Sequence, residues 1–404
     1  MSTNPETLFP LGTGSRGILP SQAIHRLIES GHIRSTARIE DGQIQPASID
    51  LRLGHKAYRV SASFLPGANS KVETRIQQLQ TSTIDITKPA IFERSCVYIV
   101  PLVEELALPG NVAAKANPKS TTGRLDIFTR LITDYGTEFE RVPQGYAGKL
   151  YAEIVPRTFP IGVKAGMKLS QLRFIRGKER DSDTMLADLD KKYEGLVYKD
   201  DEATASRANI RQGLWITVDL QGDGANDVIA FKAKKNAPVI HLDRIGFYDP
   251  DDFWDPIRSR SDKGLVLDQG DFYLLASKEK IRVPPSVAAE MVPFDASIGE
   301  FRIHYAGFFD PGFGYGASDI RGTKAVLEVR AHEVPILMEH EQRVGRLIYS
   351  ELVEPPEKVY GLSIGSSYQQ QGLALSKQFK RYTKQARQSE EWAQTAFTSV
   401  NSPG

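Results

Sequence analysis

Short apolar runs and alternating positions are the main pattern in the first half of the chain. Residues 49–53 alternate apolar and polar side chains with a period of two, and residues 96–100 and 150–155 are apolar runs that stop at Pro101 and Pro156. Both patterns are typical of short strands that are half or fully buried. The chain is therefore predicted to be all-β (mainly β), as a barrel or a sandwich.

A few short helices are expected between the strands. Residues 21–31 place Ile24, Leu27 and Ile28 on one helical face, with Ser21 as the predicted N-cap and Gly31 as the stop. Residues 390–396 also have a helix-like pattern, and the residues after them are expected to lack fixed structure.

The second half of the chain repeats the first. Residues 108–114 resemble 283–289, and residues 152–154 resemble 327–329, each pair 175 positions apart. One offset held over about 65 residues indicates a structural repeat. We predict two tandem domains, 1–200 and 210–404, with the charged and helix-tolerant segment 176–207 as the linker. The alternative is two unrelated β domains that share common turn residues.

Composition excludes several classes of protein. A hydrophobic content of 40% and a charged content of 25% are ordinary for a globular chain of 404 residues. The net charge of +1 gives no field that would recruit nucleic acid or a membrane surface, so neither is an expected partner. With one cysteine, Cys96, no long apolar run and no apolar signal core, the chain is expected to be cytoplasmic.

Motifs for metal and nucleophilic catalysis are missing from the sequence. A zinc deaminase needs His-x-Glu and Pro-Cys-x-x-Cys, which one cysteine cannot supply. The phosphate-binding Walker A loop, the Gly-x-Ser-x-Gly elbow and the His-Glu-x-x-His helix are also absent. The seven histidines show no metal-ligand spacing, so no protein-bound metal is predicted.

Three segments of the first half carry candidate chemistry. Residues 117–124 combine two cations with three hydroxyls, a set that could hold phosphate oxygens or form an ordinary Ser/Thr-rich turn. Residues 141–148 form a turn that is either functional or a plain hairpin. Glu153 lies in an apolar strand, where a carboxylate is either paired structurally, which the residues alone favour, or placed in a cleft with a shifted pKa.

Taken together, these segments resemble the dCTP deaminase branch of the dUTPase superfamily. The similar stretches are residues 45–54 (the N-terminal strand signature), 119–124 (Arg-Ser-Ser-Leu-Ala-Arg in the family), 141–148 (Arg-Ile-Asp-Pro-Gly-Trp-Ser-Gly), Glu153 (the catalytic glutamate), and Tyr360 with 368–372 (the tail that closes over the triphosphate). Once the chain is read as two copies, the resemblance covers most of it. It implies two tandem dUTPase-like distorted jelly-roll barrels, assembled as a trimer or a pseudo-hexamer of barrels, with active sites between neighbouring barrels.

The resemblance also implies a reaction, the hydrolysis of dCTP to dUTP and ammonia. Glu153 would activate the water that attacks C4 of cytosine, Ser120 would position that water, and Arg124 would stabilise charge. Further residues would bind the substrate: Lys119, Thr121, Thr122, Gly123, Arg141, Tyr146, Tyr151, Ala152, Tyr360 and Gln371. Mg²⁺ would accompany the triphosphate, and zinc would take no part.

The chain departs from the family pattern in both halves. Pro143 replaces the family's aspartate, so the first half is not expected to hydrolyse dUTP, and Ser367 replaces a lysine whose role Lys377 could take. At the 175-residue offset, Phe294, Asp295 and Gly299 replace Lys119, Ser120 and Arg124, whereas Glu328 and the turn 310–313 are kept.

These departures predict a division of labour between the halves. The first barrel would supply all the reacting groups, and the second would supply structure and the closing tail, with Glu328 as a structural carboxylate. The alternatives are a dUTP pyrophosphatase or bifunctional enzyme, a non-catalytic nucleotide-binding regulator, and a β-sandwich interaction protein.

Overall fold

The computed structural model describes residues 16–177, 183–199, 205–222, 227–259, 264–292, 301–303 (backbone only), 307–315, 321–331, 333–361 and 372–382. Strands far outnumber helices in this part of the chain, which confirms the predicted all-β class. The pattern predicted as helical at 390–396 lies outside the described residues, as does Gln371.

The first barrel is built from strands that precede Gly177. They are β1 (Gly17–Ile18), β2 (Ile33–Ser35), β3 (Ile49–Arg52), β4 (Lys56–Val60), β5 (Gln80–Asp85), β6 (Ala90–Phe92), β7 (Val97–Ala107), β8 (Val112–Pro118), β9 (Ile127–Thr133), β10 (Arg141–Val142), β11 (Ala147–Pro156), β12 (Ile161–Val163) and β13 (Lys168–Arg176). One sheet has the order β5-β4-β7-β11-β9, and a second has the order β1-β13-β8-β10.

The second barrel repeats this arrangement. Its strands are β14 (Val197–Tyr198), β15 (Leu214–Thr217), β16 (Val228–Ala233), β17 (Ile240–His241), β18 (Trp254–Arg258), β19 (Leu265–Leu267), β20 (Phe272–Ile281), β21 (Val287–Val292), β22 (Phe301–Ile303), β23 (Phe308–Phe309), β24 (Thr323–Ala331), β25 (Ile336–Met338) and β26 (Arg343–Glu351). The order β18-β16-β20-β24-β22 corresponds to the first sheet of the first barrel, and β15-β26-β21-β23 to the second.

The 175-residue offset found in the sequence also holds between the strands. It relates β6 to β19, β12 to β25 and β13 to β26 without any shift of their ends. The turn strands β10 and β23 are 167 positions apart, as the shorter loop of the second copy predicts. The repeat in the sequence is therefore a repeat of structure.

Helices are short in the described part of the chain. They are α1 (Ser21–Glu29), α2 (Val72–Leu79), α3 (Ser120–Gly123) and α4 (Asp183–Lys192). The helix predicted at residues 21–31 is confirmed, but Ser21 is its first residue and not its N-cap, because Pro20 takes that position and no side chain caps the helix.

One strand end differs from the prediction. Proline was expected to end the run at residues 96–100, but β7 continues through Pro101 to Ala107. Pro101 lies opposite Tyr151 at the place where the register between β7 and β11 shifts. An irregularity of the ladder tolerates a residue that cannot donate a hydrogen bond.

The segment predicted to link the two domains packs with the second barrel. Leu186 and Leu189 of α4, together with Leu196 and Val197, belong to the hydrophobic core that contains β20 and β24. Because these side chains need that core for burial, the change from one barrel to the other comes before α4. This is earlier in the chain than the predicted boundary at 200–210.

The outer face of the second barrel packs against the first barrel. Phe231, Phe272 and Leu274 belong to the same buried cluster as Phe159 and Ile161 of the first barrel. Strand β17 extends this contact, because Ile240 pairs in parallel with Ile161 of β12. The boundary between the barrels is thus a buried apolar surface, and the groups that lie on it are held firmly.

None of the described helices has the length and apolar composition that crossing a membrane would need.

Candidate active site

The turn that opens at Lys119 is held by its own backbone and by β13. The N–H groups of Thr122 and Gly123 donate to the carbonyl of Lys119, at 2.8 and 3.0 Å. The Thr122 hydroxyl donates to the carbonyl of Leu169 at 2.9 Å. The residues 119–124 therefore form a short helix, α3, and at the same time they present Ser120 and Arg124 at a fixed place.

The C-terminal tail lies over this turn. The Ser376 hydroxyl donates to the carbonyl of Thr121 at 2.9 Å, and Arg124 donates through Nη1 to the carbonyl of Ala374 at 3.1 Å. Leu375 is buried between them. The tail of the second barrel thus covers the candidate phosphate-binding segment of the first.

Glu328 of the second barrel faces the same turn. Along β24 the side chains of Leu327 and Val329 enter the second core, so Glu328 points the other way, towards the first barrel. It is 5% exposed. Burial raises the pKa of the Glu328 carboxyl to about 8, and the positive charge of Arg124 opposes this shift. A carboxyl and a guanidinium from different barrels therefore lie within electrostatic reach of one another.

Three lysines surround a small cavity next to this pair. Lys119, Lys168 and Lys377 line a space of about 180 Å³ together with Thr121 and Thr122. Burial, followed by the positive charge of Lys119, lowers the pKa of Lys377. Lys119 is itself ion-paired with Asp50. A cluster of cations at the end of a Ser/Thr-rich turn suits an anionic ligand.

The turn that the second half keeps is found at the same boundary. Asp310 accepts a hydrogen bond from Arg173 of the first barrel at 3.2 Å. Burial raises the pKa of Asp310, and Arg173 opposes the shift. Tyr360 packs on this turn, since its N–H donates to the carbonyl of Pro311 at 2.7 Å and its ring lies 5.4 Å from that of Phe313.

Glu153 has different neighbours from those predicted. Arg130 on the adjacent strand β9 donates to one carboxylate oxygen, Oε1, through Nε at 3.0 Å and through Nη2 at 2.5 Å. The guanidinium also stacks on Phe139, 3.5 Å from its ring centre. The structure therefore gives Glu153 the structural pairing that the residues alone favoured, and does not bring it together with Ser120 and Arg124.

Four other predicted binding residues make their contacts elsewhere than at the α3 turn. Arg141 is at the surface, 3.8 Å from Glu138. The Tyr146 hydroxyl donates to the carbonyl of Lys149 at 2.6 Å, inside its own barrel. Tyr151 and Ala152 are buried in two different cores of the first barrel. The packing of the first barrel therefore explains Tyr146, Tyr151 and Ala152, and Arg141 lies beside a surface carboxylate.

Sequence reasoning expected active sites between neighbouring barrels but drew every reacting group from the first barrel, and so did not predict a set shared between the two copies. The signal was present, since the first copy keeps the cationic turn 119–124 and loses its aspartate to Pro143, whereas the second copy keeps Asp310 and Glu328 and loses the turn. The two sets of losses are complementary, which is expected if one site is built from one half of each copy.

Within the part of the chain that the structure describes, no group of three or more His, Cys, Asp or Glu side chains is arranged to hold a metal ion.

Comparison with known proteins identifies relatives for both barrels. Residues 15–178 match the family model of the 2'-deoxycytidine 5'-triphosphate deaminase (DCD) N-terminal domain, and residues 182–379 match that of the C-terminal domain. The crystal structure of 2'-deoxycytidine 5'-triphosphate deaminase from Agrobacterium tumefaciens is similar, with 47% identity and a TM-score of 0.79, covering 84% of this chain and 100% of that one.

Curated relatives are similar over shorter stretches. The "dCTP deaminase, dUMP-forming" of Halobacterium salinarum is 30% identical over 142 residues, which is 34% of this chain and 67% of the relative. The "dCTP deaminase" of Halorubrum lacusprofundi is 29% identical over 144 residues, which is 34% of this chain and 64% of the relative.

The fold and these relatives define a hydrolase that acts on a carbon–nitrogen bond of a nucleotide. More particularly, the chain belongs to the dCTP deaminase family in its two-domain form.

Proposed function

We propose that the chain deaminates dCTP to dUTP at one site between its two barrels, with Glu328 as the general base. The observation that supports this most directly is that Glu328 lies within electrostatic reach of Arg124, which the C-terminal tail covers. This assignment replaces Glu153, whose carboxylate is held by Arg130.

The proposed reaction is a proton shuttle. Glu328 takes a proton from water, and the hydroxide attacks C4 of the cytosine ring to give a tetrahedral intermediate. The same carboxyl returns the proton to the amino group, which leaves as ammonia and yields the uracil base. A base with a pKa near 8 is well matched to this task, because it is basic enough to accept the proton and can still release it.

The first barrel contributes charge and orientation in this proposal. Arg124 lies where it can stabilise negative charge that develops on the base and the carboxylate. Ser120, exposed at the start of α3, is available to position the water. Positioning of this kind, together with a general base, contributes roughly a hundred- to ten-thousand-fold to the rate.

The lysine cluster is proposed to bind the triphosphate. Lys119, Lys168 and Lys377 offer point charges to phosphate oxygens, and Thr121 and Thr122 offer hydrogen-bonding groups. Mg²⁺ would arrive as part of the nucleotide substrate and neutralise further phosphate charge. Lys377 then takes the place of the lysine that the family has at the position of Ser367.

A second candidate function is bifunctional, with dUMP as the final product. It is favoured by Asp310, which is retained at the barrel boundary and feels the charges of Lys119 and Asp50. The relative from Halobacterium salinarum is named as dUMP-forming. Hydrolysis would require Asp310 to leave Arg173 and activate water, and the ion pair between them makes dUTP the favoured product.

The test is product analysis with a matched pair of variants. Purified protein is incubated with dCTP and Mg²⁺, and ammonia, dUTP, dUMP and pyrophosphate are measured. Glu328→Gln is expected to bind dCTP and to release ammonia roughly a hundred to ten thousand times more slowly, in line with the loss of a general base.

Glu153→Gln is the matched control, because it makes the same change in the equivalent strand of the other barrel. It is expected to keep most of the activity, with any loss confined to stability. A dead Glu153→Gln variant beside an active Glu328→Gln variant would reverse the assignment. Pyrophosphate with dUMP would favour the bifunctional reading, and dCTP binding by the wild type without turnover would favour a regulator.

Three further features remain proposals that follow from the resemblance. The chain is proposed to assemble as a homo-oligomer of barrels, to act in the cytoplasm, and to supply dUTP as a precursor in pyrimidine deoxynucleotide metabolism. The low net charge and the single cysteine support the location in a reducing compartment.

A further inference from the structure

A second pair of opposite charges crosses the barrel boundary beside the proposed site. Arg330 of β24 is ion-paired through Nη2 with Oδ2 of Asp126, and the two side chains are only 10% and 1% exposed. Thr158 joins them, since its hydroxyl donates to Asp126 at 2.5 Å and accepts from Arg330 at 3.1 Å. Arg330 also donates through Nη1 to the carbonyl of Gly270. We call these three side chains, Asp126, Thr158 and Arg330, the boundary triad.

Two members of the triad, Arg330 and Asp126, each lie two positions after a residue of the proposed site. Arg330 follows Glu328 by two positions on β24, so the two side chains leave the same face of the strand. Asp126 follows Arg124 by two positions in the turn after α3. The boundary thus carries two charge pairs. In the first pair the cation, Arg124, belongs to the first barrel and faces Glu328. In the second pair the anion, Asp126, belongs to the first barrel and faces Arg330.

The backbone of Asp126 is fixed in an uncommon conformation. Its φ of 53° is in the left-handed region, which aspartate and asparagine tolerate better than most residues. The N–H of Asp126 donates to the carbonyl of Gly123, and the N–H of Arg157 donates to the carbonyl of Asp126, both at 2.9 Å. The carboxylate is therefore aimed at the second barrel by the same turn that holds Arg124.

The repeat shows that the first barrel has no counterpart of Arg330. At the 175-residue offset, Arg330 corresponds to Val155, which is apolar. The guanidinium is therefore not needed to build a barrel of this kind. A buried ion pair adds little stability compared with a well-packed apolar pair, and its better-attested use is to fix one register between packed elements.

We propose that Asp126 and Arg330, joined by Thr158, are positioning residues that hold Glu328 in register with Arg124. The inference rests on the proposed function of Glu328. Asp126 has a second effect in this arrangement, because it neutralises a guanidinium that is only two positions from the base. Without Asp126, Arg330 is left with an unpaired charge beside Glu328, and an ion pair between those two would occupy the base.

The experiment compares single and double variants by their kinetics and stability. Asp126→Asn keeps a residue that accepts the left-handed backbone, Arg330→Gln removes the charge on the other side, and the double variant removes both. Glu290→Gln is the matched control, since it breaks the ion pair between Lys115 and Glu290, which also joins the two barrels but through β8 and β21. The kcat and KM for dCTP and the melting temperature are measured for each protein.

A positioning role predicts a split between kcat and KM. Each single variant is expected to lower kcat on the order of 10- to 100-fold, with KM changed by less than about threefold, because a small displacement of a reacting group costs rate more than binding. The double variant is expected to be no slower than Asp126→Asn, since its glutamine cannot form an ion pair with Glu328. Arg330→Lys, which keeps the positive charge, is expected to retain more of the wild-type rate than Arg330→Gln does.

Other outcomes separate the inference from the proposed function. If wild type turns over dCTP and Glu328→Gln is dead, but Asp126→Asn keeps its kcat within about threefold, the triad is structural only and the inference is overturned. An equal loss of kcat in Glu290→Gln would also overturn it, by showing that any loosening of the barrels slows the reaction. An active Glu328→Gln variant would instead overturn the proposed function itself.

Discussion

At the scale of single residues, environment decides which of two equivalent glutamates can act as a base. Glu153 and Glu328 occupy the same position in the repeat, 175 residues apart. Arg130 gives Glu153 two hydrogen bonds on one oxygen, whereas Glu328 meets the charge of Arg124 across the boundary. Of the two, Glu328 is the carboxyl that faces a cation across the boundary, which suits it to serve a ligand there.

The pKa of Glu328 leads to a prediction about pH. A base acts when it is deprotonated, so kcat/KM for dCTP is expected to rise with pH through the pKa of about 8 and to level off only above it. Removing the positive charge in Arg124→Met is expected to move this limb to higher pH, because that charge opposes the raised pKa. Rates measured from about pH 6 to pH 10 would check the shift, and a limb that does not move would contradict the contact between the two residues.

The same carboxyl also makes the stability of the fold depend on pH: activity rises with pH, whereas this contribution to stability falls. Because folding raises the pKa of Glu328, the folded state binds a proton that the unfolded state has lost between about pH 4.5 and 8. Its contribution to the free energy of unfolding is therefore fully present below the ordinary pKa and is lost as the pH rises through about 8. The protein is expected to be most active where this carboxyl stabilises it least.

Residue patterns predicted half of the candidate site. The segment 119–124 was identified from its cations and hydroxyls, and the structure gives it a turn that suits that chemistry. The sequence pattern predicts the reacting glutamate in the first barrel, whereas we propose its equivalent in the second. An offset compares positions within each copy and contains no information about which copy faces which. Only the packing of β24 on the first barrel supplies that information.

At the scale of elements, the C-terminal tail is held by an aromatic cluster. Phe379 is 6% exposed, and its ring lies 5.3 Å from that of Phe253, 6.0 Å from that of Trp254 and 6.2 Å from that of Tyr248. The N–H of Lys380 donates to the carbonyl of Tyr248 at 2.9 Å. The tail is thus anchored on the second barrel just after it crosses the α3 turn.

Truncation of this anchor is expected to weaken both stability and substrate binding. Phe379→Ala should lower the free energy of unfolding by about 3–5 kcal/mol, the usual range for a buried phenylalanine, and should raise the KM for dCTP because the tail no longer stays over the lysines. Urea denaturation and steady-state kinetics would measure the two effects. Phe247→Ala is the control, since that ring is 54% exposed and should cost less than about 0.5 kcal/mol.

Elements with a clear period were predictable, and those shaped by tertiary contacts were not. The periodicity at residues 21–31 and 49–53 gave α1 and β3 with nearly correct ends. The continuation of β7 through Pro101 depends on a register shift against β11, which no local pattern reveals. The helix α4 was read as part of a linker because its few apolar residues find their core only in the second barrel.

At the scale of the whole molecule, the two barrels form one complete set of functional groups. The first contributes the cationic turn, and the second contributes Glu328, Asp310 and the tail. The opposite combination would pair the degraded segment that contains Phe294, Asp295 and Gly299 with the turn that contains Pro143. The first copy has lost the aspartate and the second has lost the cationic turn, and the described boundary uses neither of these two positions.

This arrangement predicts the stoichiometry of binding. Titration of the Glu328→Gln variant with dCTP and Mg²⁺ in a calorimeter should give one site per chain, since that variant keeps the lysine cluster but does not consume the ligand. Two equivalent sites per chain would show that the other combination of halves also binds nucleotide. The count per chain is independent of how many chains assemble.

The tail that covers the cationic turn, described as far as Tyr382, follows every strand of the second barrel along the chain. During synthesis, the cationic turn emerges long before the carboxyl it faces, and the covering tail emerges later still. In the proposed site, turnover must therefore wait until the second barrel and this tail have been made, so a chain that stops before them is expected to be inert rather than half as active. A shortened chain released early from the ribosome would not convert the nucleotide pool, whatever its first barrel had already achieved in folding.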